Sequence, residues 1–227
     1  MSNSVPVVTI DGPSGSGKGT IAKLVAEKLG WNLLDSGALY RVVGLLAERQ
    51  GVTPDMTEQL GELALTMPLK FDEQGNPLLG KENVNDAIRT ETAGNAASKV
   101  AAVPEVRSAL LEWQRNYAAL PGLVADGRDM GSVVFPDAGA KIFLTASAEE
   151  RANRRYKQLK DKGLDVNLAD LTAEIRERDE RDQNRSVAPL VAPAAALEVE
   201  SSNLTIDQVL DRVMEKIKEA YPELDLG

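Results

Sequence analysis

Hydrophobic positions form two patterns that alternate along the chain: short continuous runs, typical of buried strands, and the spacing of one helix face. The run Val5–Ile10 is short and rich in β-branched residues, and it ends at Asp11-Gly12-Pro13, so it predicts a buried strand. In Thr20–Leu29 the apolar residues have the spacing of one helix face, and Gly30 is typical of a helix end. The same order of strand, turn and helix recurs, which indicates a parallel sheet covered by helices on both faces.

The remaining strands and helices are predicted from the same two patterns. Strands are expected at 31–34, 122–125, 140–146 and 197–200, and helices at 35–50, 53–67, 85–101, 104–120, 147–162, 168–184 and 205–221. Thr53 is predicted to cap its helix, with Pro54 at the first helical position. Residues 68–84 differ, because short apolar runs flank the turn Gln74-Gly75-Asn76-Pro77 and predict a small antiparallel sheet.

Composition excludes several classes of chemistry. The 227 residues are enough for one or two domains of ~150 residues each. The chain contains no Cys and no His, so disulfides, thiolate nucleophiles, imidazole acid–base catalysis and zinc sites with these ligands are excluded. The net charge of −9 and the 4% aromatic content argue against a nucleic-acid binder.

Two further features concern location. No apolar run approaches the ~20 residues of a membrane span. The start Met1-Ser2-Asn3-Ser4 lacks the basic region and apolar stretch of a signal peptide. We therefore expect a soluble, cytoplasmic protein without a nucleic-acid or membrane partner.

The sharpest motif is a glycine-rich loop between the first strand and the first helix. Its residues are Gly12, Pro13, Ser14, Gly15, Ser16, Gly17, Lys18, Gly19 and Thr20. Such a loop turns backbone N–H groups toward phosphates, the helix N-terminus adds positive charge, and Lys18 supplies a cation. Gly19 stands where the general pattern has Ser or Thr to hold magnesium, which is the form found in nucleoside monophosphate kinases. The alternative is a glycine-rich turn that binds no ligand.

Arginines are concentrated in one part of this acidic chain. Eight of the 14 lie between Arg128 and Arg185. Phosphoryl transfer needs cations around the phosphates, and arginine suits this because it stays charged and binds phosphate with two parallel hydrogen bonds. In the two charged helices, 147–162 and 168–184, the alternative is a solvated surface held by pairs such as Glu174–Arg178 and Glu177–Arg181. If the arginines bind phosphate instead, the two helices would form a mobile cover over the phosphates.

A second polar cluster follows the strand predicted at 122–125. It is Asp126-Gly127-Arg128-Asp129, at the strand end where open α/β sheets bind ligands. Asp126 is a candidate for the outer coordination sphere of magnesium, with no direct protein ligand expected. Arg128 is a candidate for phosphate and Asp129 for accepting a hydrogen bond. An ordinary Asp-Gly turn with a local ion pair is the alternative.

Taken together, these motifs resemble the bacterial cytidylate kinase family over nearly the whole chain. The resemblance rests on Ile10–Thr20, Leu34–Arg41, Ala125–Phe135 and Glu177–Pro189. It implies an α/β fold of three layers (α/β/α), a P-loop kinase with a five-stranded parallel sheet, a small antiparallel insert and a helical lid. The implied division is a core P-loop domain of 1–34, 105–147 and 186–227, a monophosphate-binding domain of 35–104 with the insert at 68–99, and a lid with its adjoining helix at 148–185.

The family resemblance also implies a role for each site residue. Residues 12–20 and Arg155 would bind ATP, with Arg151 and Arg154 also in the lid. Lys18, Arg128, Arg178 and Arg185 would be catalytic. The residues that would bind CMP are Ser36, Arg41, Ser98, Arg107, Arg128, Asp129, Arg178, Asp182 and Arg185.

The expected reaction is transfer of the γ-phosphoryl group of ATP to CMP or dCMP, with Mg²⁺ bound to ATP. Only these nucleotides are expected as partners, and the resemblance implies a monomer. Two alternatives remain open from the residues: a kinase for another nucleoside monophosphate or small molecule, and a nucleotide-dependent switch ATPase.

Overall fold

The computed structural model describes residues 5–72 and 75–224. The strands in chain order are β1 (Val7–Asp11), β2 (Asn32–Asp35), β3 (Leu69–Phe71), β4 (Pro77–Leu79), β5 (Glu82–Asn83), β6 (Leu123–Gly127), β7 (Ala140–Thr145) and β8 (Leu197–Glu200). The helices are α1 (Lys18–Leu29), α2 (Ser36–Gln50), α3 (Thr57–Thr66), α4 (Asn85–Ile88), α5 (Glu91–Val100), α6 (Pro104–Asn116), α7 (Ala148–Asp161), α8 (Leu168–Gln183) and α9 (Ile206–Ala220). Met1–Ser4, which argued against a signal peptide, and Gln74 of the predicted turn lie outside the described residues.

The chain divides into two compact units. The first unit comprises Met1–Leu34 and Ala118–Gly227, and the second comprises Asp35–Tyr117. Helix α6 lies in the second unit because it packs along α3, whereas the sequence-based division begins the core domain again at residue 105. The division into a P-loop domain, a monophosphate-binding domain and a lid stays a prediction.

The first unit is built on a five-stranded parallel sheet in the order β2-β6-β1-β7-β8. All five residues of the central strand β1 are buried, as expected for a strand covered on both faces. Helices α1 and α9 contribute Val25, Val213 and Ile217 to the apolar core against the sheet. The predicted parallel sheet is confirmed, and β6 extends two residues further than predicted, so that Asp126 and Gly127 pair with β1.

The second unit contains the small antiparallel sheet predicted for residues 68–84. Its strand order is β3-β4-β5, with Leu69 opposite Leu79 and Leu79 opposite Glu82. Phe71 of β3 packs against Trp113 and Tyr117, which stack on each other with ring centroids 5.4 Å apart. This aromatic group attaches the small sheet to α6.

Two predicted helices are wrong in detail. Helix α3 begins at Thr57 rather than Thr53, and Met56, not Thr53, precedes it. The Thr53 carbonyl instead accepts from Met56 N at 3.0 Å, so residues 53–56 form a separate turn before the helix. The helix predicted at 85–101 is broken into α4 and α5 because the Thr90 side chain caps α5 by accepting from Ala93 N.

A π-helical turn at Met130–Val134 follows β6 and has no counterpart among the predicted elements. The other helix ends differ from the predictions by a few residues, as at α6, which ends at Asn116 instead of 120. Within the described ranges, no helix is long and apolar enough to cross a bilayer.

Tyr221 joins the C-terminal segment to the sheet. Its hydroxyl accepts from Val7 N at 3.0 Å and Gly139 N at 3.2 Å, and it donates to Val7 O at 2.8 Å. The ring also lies edge-on to Trp31, with centroids 5.7 Å apart. Both lone pairs and the proton of the hydroxyl are therefore used.

Removing this hydroxyl should destabilise the protein. We expect Tyr221→Phe to lower the free energy of unfolding by about 1–3 kcal/mol, since backbone groups of Val7 and Gly139 lose their partner. Urea denaturation followed by circular dichroism measures the change. Tyr156→Phe is the control, because the Tyr156 hydroxyl has no hydrogen-bond partner among the described residues; equal losses in both variants would contradict the role of Tyr221.

Candidate active site

The glycine-rich loop lies where it was predicted, between β1 and the first residues of α1. Gly17 precedes the helix with a φ of 91°, in the left-handed region that glycine adopts without strain. The N-terminus of α1 leaves backbone N–H groups without helical partners and carries partial positive charge. This arrangement suits an anion such as a phosphate.

Two arginines of α7 hold carbonyl groups of this loop. Arg151 Nη1 donates to Ser14 O at 3.0 Å, and Arg154 Nη1 donates to Ser16 O at 3.3 Å. In a trans peptide the carbonyl and the following N–H point in opposite directions. Fixing these two carbonyls therefore turns the N–H groups of Gly15 and Gly17 to the opposite side, where an anion is expected.

Ser201, at the end of β8, completes this support. Its hydroxyl donates to Ser16 O and accepts from Arg154 Nη1, both at 3.3 Å, while Arg154 Nη2 donates to Ser201 O at 2.8 Å. Ser201 is buried, so water does not compete for these hydrogen bonds. Sequence reasoning missed Ser201, because a lone serine after a strand carries no distinctive signal.

Lys18 and Asp126 lie next to each other beside the loop. The Lys18 Nζ donates to Pro13 O at 3.4 Å and lies 3.9 Å from Asp126 Oδ1. A Cβ on Gly19 would lie 3.2 Å from Asp126 Oδ2, so a larger residue would crowd this carboxylate. Gly19, directly after the lysine, thus leaves room for Asp126. The sequence predicted Asp126 as a candidate for the outer coordination sphere of magnesium.

Asp11, the last residue of β1, ties the loop to the segment after β6. Its two carboxylate oxygens accept from Met130 N and Gly131 N, each at 2.8 Å. Burial raises the pKa of Asp11 to about 7, although these two hydrogen bonds lower it. Sequence reasoning did not select Asp11, yet a carboxylate at the end of an apolar strand was a usable signal.

Arg128, Asp182 and Arg185 form a largely buried charged group. Arg128 Nε donates to Asp182 Oδ2 at 2.8 Å, and Arg185 Nε donates to Asp182 O at 3.1 Å. Burial raises the pKa of the Asp182 carboxyl, but the positive charges of Arg128 and Arg185 outweigh it, so the net pKa lies below its usual value. Asp129 is also buried, at the start of the π-helical turn.

The sequence left two roles open for the arginines of α7 and α8: a place beside the phosphate loop or an ion pair on a solvated helix. Different arginines take each of these places. Arg178 Nη1 donates to Ser14 Oγ at 3.2 Å, and Arg151 is 4% exposed and pairs with Asp179 through both carboxylate oxygens. Arg181 instead pairs with Glu177 of the same helix at 2.6 Å, and the exposed Arg176 pairs with Glu149. Arg155 Nη1 donates to Gln158 Oε1 at 3.3 Å. Charge pattern alone could not separate these cases.

In the second unit, Ser36 begins α2 and is 3% exposed. Its hydroxyl donates to Gln114 Oε1 of α6 at 2.6 Å. Asp35 caps the same helix by accepting from Ala38 N and pairs with Arg89 at 2.9 Å. Gln114 was absent from the predicted site, since a single glutamine in an amphipathic helix gives no sequence signal.

The other predicted residues of the second unit are also placed by α2, α5 and α6. Arg107 lies over the Tyr40 ring at 5.6 Å and donates to Ala101 O at 3.2 Å. Arg41 Nη1 donates to Ile88 O at 2.6 Å and to Thr90 O at 3.2 Å, across the break between α4 and α5. Ser98 is buried near the end of α5.

The geometry of the first unit defines a class of protein. A phosphate loop joins the central strand of a parallel sheet to α1, with a lysine and several guanidinium groups around it. The solved structure of a gluconokinase from Sinorhizobium meliloti matches with a TM-score of 0.50 at 13% identity, over 96% of this chain and 94% of that one. An uncharacterised protein from Eubacterium ventriosum matches with a TM-score of 0.51 at 10% identity, over 94% and 98%. These likenesses concern the fold alone, and the fold and loop together are those of a P-loop kinase.

Sequence comparison specifies the family. The Cytidylate kinase family model matches residues 8–219. Cytidylate kinase from Aeromonas salmonicida is 58% identical, covering 100% of this chain and 98% of that protein. Those from Marinomonas sp. and Vibrio parahaemolyticus are 56% and 55% identical, covering 97% and 98% of this chain and 99% and 100% of theirs. The chain belongs to the cytidylate kinase family, and the resemblance found in the sequence is confirmed.

The support of the loop carbonyls generates a prediction. Arg154→Ala should weaken ATP binding by about tenfold, since the Ser16–Gly17 peptide loses the charged hydrogen bond that orients it and Ser201, which also holds Ser16 O, loses its bonds to Arg154. Isothermal titration calorimetry measures the affinity. Arg212→Ala, which removes an exposed arginine of α9, is the control for the change in net charge, and equal weakening in both variants would contradict a positioning role.

Proposed function

We propose that this protein transfers the γ-phosphoryl group of ATP to CMP or dCMP, giving ADP and CDP or dCDP, as a step of pyrimidine nucleotide metabolism. The observation that carries the proposal is membership of the cytidylate kinase family over residues 8–219. The phosphate loop, with Lys18 and the arginines around it, supports the same reaction.

The proposed roles around ATP follow from the charge distribution. Residues 12–20 hold the ATP phosphates, through N–H groups directed by Arg151 and Arg154 and through the Lys18 ammonium. The Ser16 hydroxyl is buried and has no hydrogen-bond partner among the described residues, which suits a site that accepts a polar ligand. Arg155 is proposed as a further ATP contact of the lid.

Magnesium fits this site through Asp126. The carboxylate is held beside Lys18, and Gly19 leaves space next to it. When bound with ATP, magnesium supplies positive charge that offsets the charge of the phosphate oxygens. We propose that Asp126 lies in the outer coordination sphere of the magnesium ion and contacts it through water. No protein side chain binds the ion directly in this proposal.

The proposed CMP contacts are those that the family resemblance implies. Arg41 and Arg128 hold the CMP phosphate, and Ser98, Arg178 and Asp182 contact the sugar. The cytosine is read by Ser36, Arg107, Asp129 and Arg185. Ser36 and Asp129 accept from the exocyclic amino group of cytosine, whereas uracil has an acceptor at that position, which a carboxylate repels.

Chemistry requires no covalent protein intermediate. A CMP phosphate oxygen attacks the γ-phosphoryl group in line, and Lys18, Arg128, Arg178 and Arg185 stabilise the charge that spreads over the phosphoryl oxygens. The second pKa of a phosphate monoester is about 6, so the acceptor is already largely ionised at neutral pH. A strong protein base is therefore unnecessary. We propose that the enzyme works in the cytoplasm as a monomer.

A panel of acceptors tests the proposed activity. ADP release with CMP, dCMP, UMP, AMP, GMP and shikimate should be fastest with CMP or dCMP, and slow when no acceptor is present. The Lys18→Met protein is the control for contaminating kinases. Preference for another acceptor would assign the protein to a different kinase, and equal ATP hydrolysis without acceptor would favour a switch ATPase.

The role of Asp129 gives a second test. Asp129→Ala should reduce the discrimination between CMP and UMP by about 1–3 kcal/mol, because the amino group of cytosine loses a buried acceptor. The ratio of kcat/KM for the two substrates measures it. Asp137→Ala, which removes an exposed carboxylate from the following loop, is the control. Unchanged discrimination in Asp129→Ala would reject the assignment.

A further inference from the structure

Gln114 is a polar side chain in an apolar part of the second unit. It is 1% exposed on α6, where Val106 and Leu110 are also fully buried. Burying an amide is costly unless its donors and acceptor find partners. Gln114 Nε2 donates to Leu110 O at 3.1 Å, and Gln114 Oε1 accepts from the Ser36 hydroxyl at 2.6 Å.

The carbonyl of Leu110 determines the direction of these hydrogen bonds. A carbonyl oxygen can only accept, so the amide nitrogen of Gln114 must face it. The amide oxygen then faces Ser36 and can only accept as well. The flipped amide would bring two oxygens together 3.1 Å apart.

The Ser36 hydroxyl is oriented in consequence. It has one proton, which it gives to Gln114, so only its lone pairs remain to meet another group. Because Ser36 is 3% exposed, water offers little competition for the proton. The hydroxyl, which in isolation could donate or accept, is therefore held as an acceptor.

We infer that Gln114 is a specificity-determining positioning residue, which makes Ser36 accept from the 4-amino group of cytosine and disfavours the carbonyl oxygen of uracil. The inference rests on the proposed function, in which Ser36 contacts the base. A hydrogen bond that only joined α2 to α6 would stabilise the protein equally with either substrate. A directed hydroxyl instead changes the ratio between two substrates that differ in a donor and an acceptor.

The test compares substrates in Gln114→Met, a variant of similar length that lacks the amide. The ratio of kcat/KM for CMP to that for UMP should fall about tenfold, equivalent to about 1.4 kcal/mol, because the Ser36 proton is released to donate to uracil. Leu110→Met, a buried substitution one turn away on α6, is the matched control and should leave the ratio within about twofold of the wild type.

A double variant separates this role from packing. In Ser36→Ala the hydroxyl is absent, so adding Gln114→Met should change the CMP/UMP ratio by no more than about twofold. Purely structural effects would instead lower kcat/KM for both substrates together and leave the ratio unchanged in Gln114→Met. That result, in a folded variant of an enzyme that prefers CMP, overturns the inference alone.

A conservative variant keeps the test decisive if Gln114→Met does not fold. In Gln114→Glu, burial favours the protonated carboxyl, whose O–H can donate to Leu110 O while its carbonyl accepts from Ser36. This variant should retain the wild-type ratio within about twofold, and a ratio about tenfold lower overturns the inference. A wild-type protein that does not phosphorylate CMP overturns the proposed function itself, and with it the inference.

Discussion

The first unit depends on the orientation of two peptide groups in the loop between β1 and α1. N–H groups can face an anion only if the carbonyls of the same peptides face the protein, and those carbonyls then need donors. Arg151, Arg154 and Ser201 supply these donors from α7 and from the end of β8. Burying a guanidinium is costly, and the cost for Arg151 is offset by the carboxylate of Asp179. Charged side chains of α7 and α8 thus support the loop.

The same principle, a polar group given one direction by its partner, recurs elsewhere in the molecule. Asp11 accepts from Met130 N and Gly131 N and so fixes the segment that follows Arg128 and Asp129. In the second unit, Gln114 gives the Ser36 hydroxyl its direction. Asp11 also brings one protein group with a pKa of about 7 into the physiological range.

Local signals predicted those elements whose causes are local. The strand–loop–helix start was predictable because glycines, β-branched residues and helix spacing lie within thirty residues, and the small sheet because its turn chemistry is local. The Thr53 cap was wrong because residues 53–56 form a turn of their own, closed by the hydrogen bond from Met56 N to Thr53 O, and the helix begins only at Thr57. The break between α4 and α5 has a local part, the Thr90 cap, but it also depends on Arg41 of α2, which donates to the carbonyls of Ile88 and Thr90. A competing side chain from another element leaves no trace in the local pattern.

By itself, the sequence determined the α/β class, the phosphate loop and the kinase family, because each depends on residues adjacent in the chain. Only the tertiary structure decided which arginines reach the loop and which stay on the surface. Arg154 and Ser16 are 138 residues apart, and Ser36 and Gln114 are 78 apart. Packing brings Arg154 to the carbonyl of Ser16, whereas Arg176 stays exposed and pairs with Glu149. The sequence also left open whether the Ser36 hydroxyl donates or accepts. Folding decides this, because it places the amide oxygen of Gln114, which can only accept, against that hydroxyl.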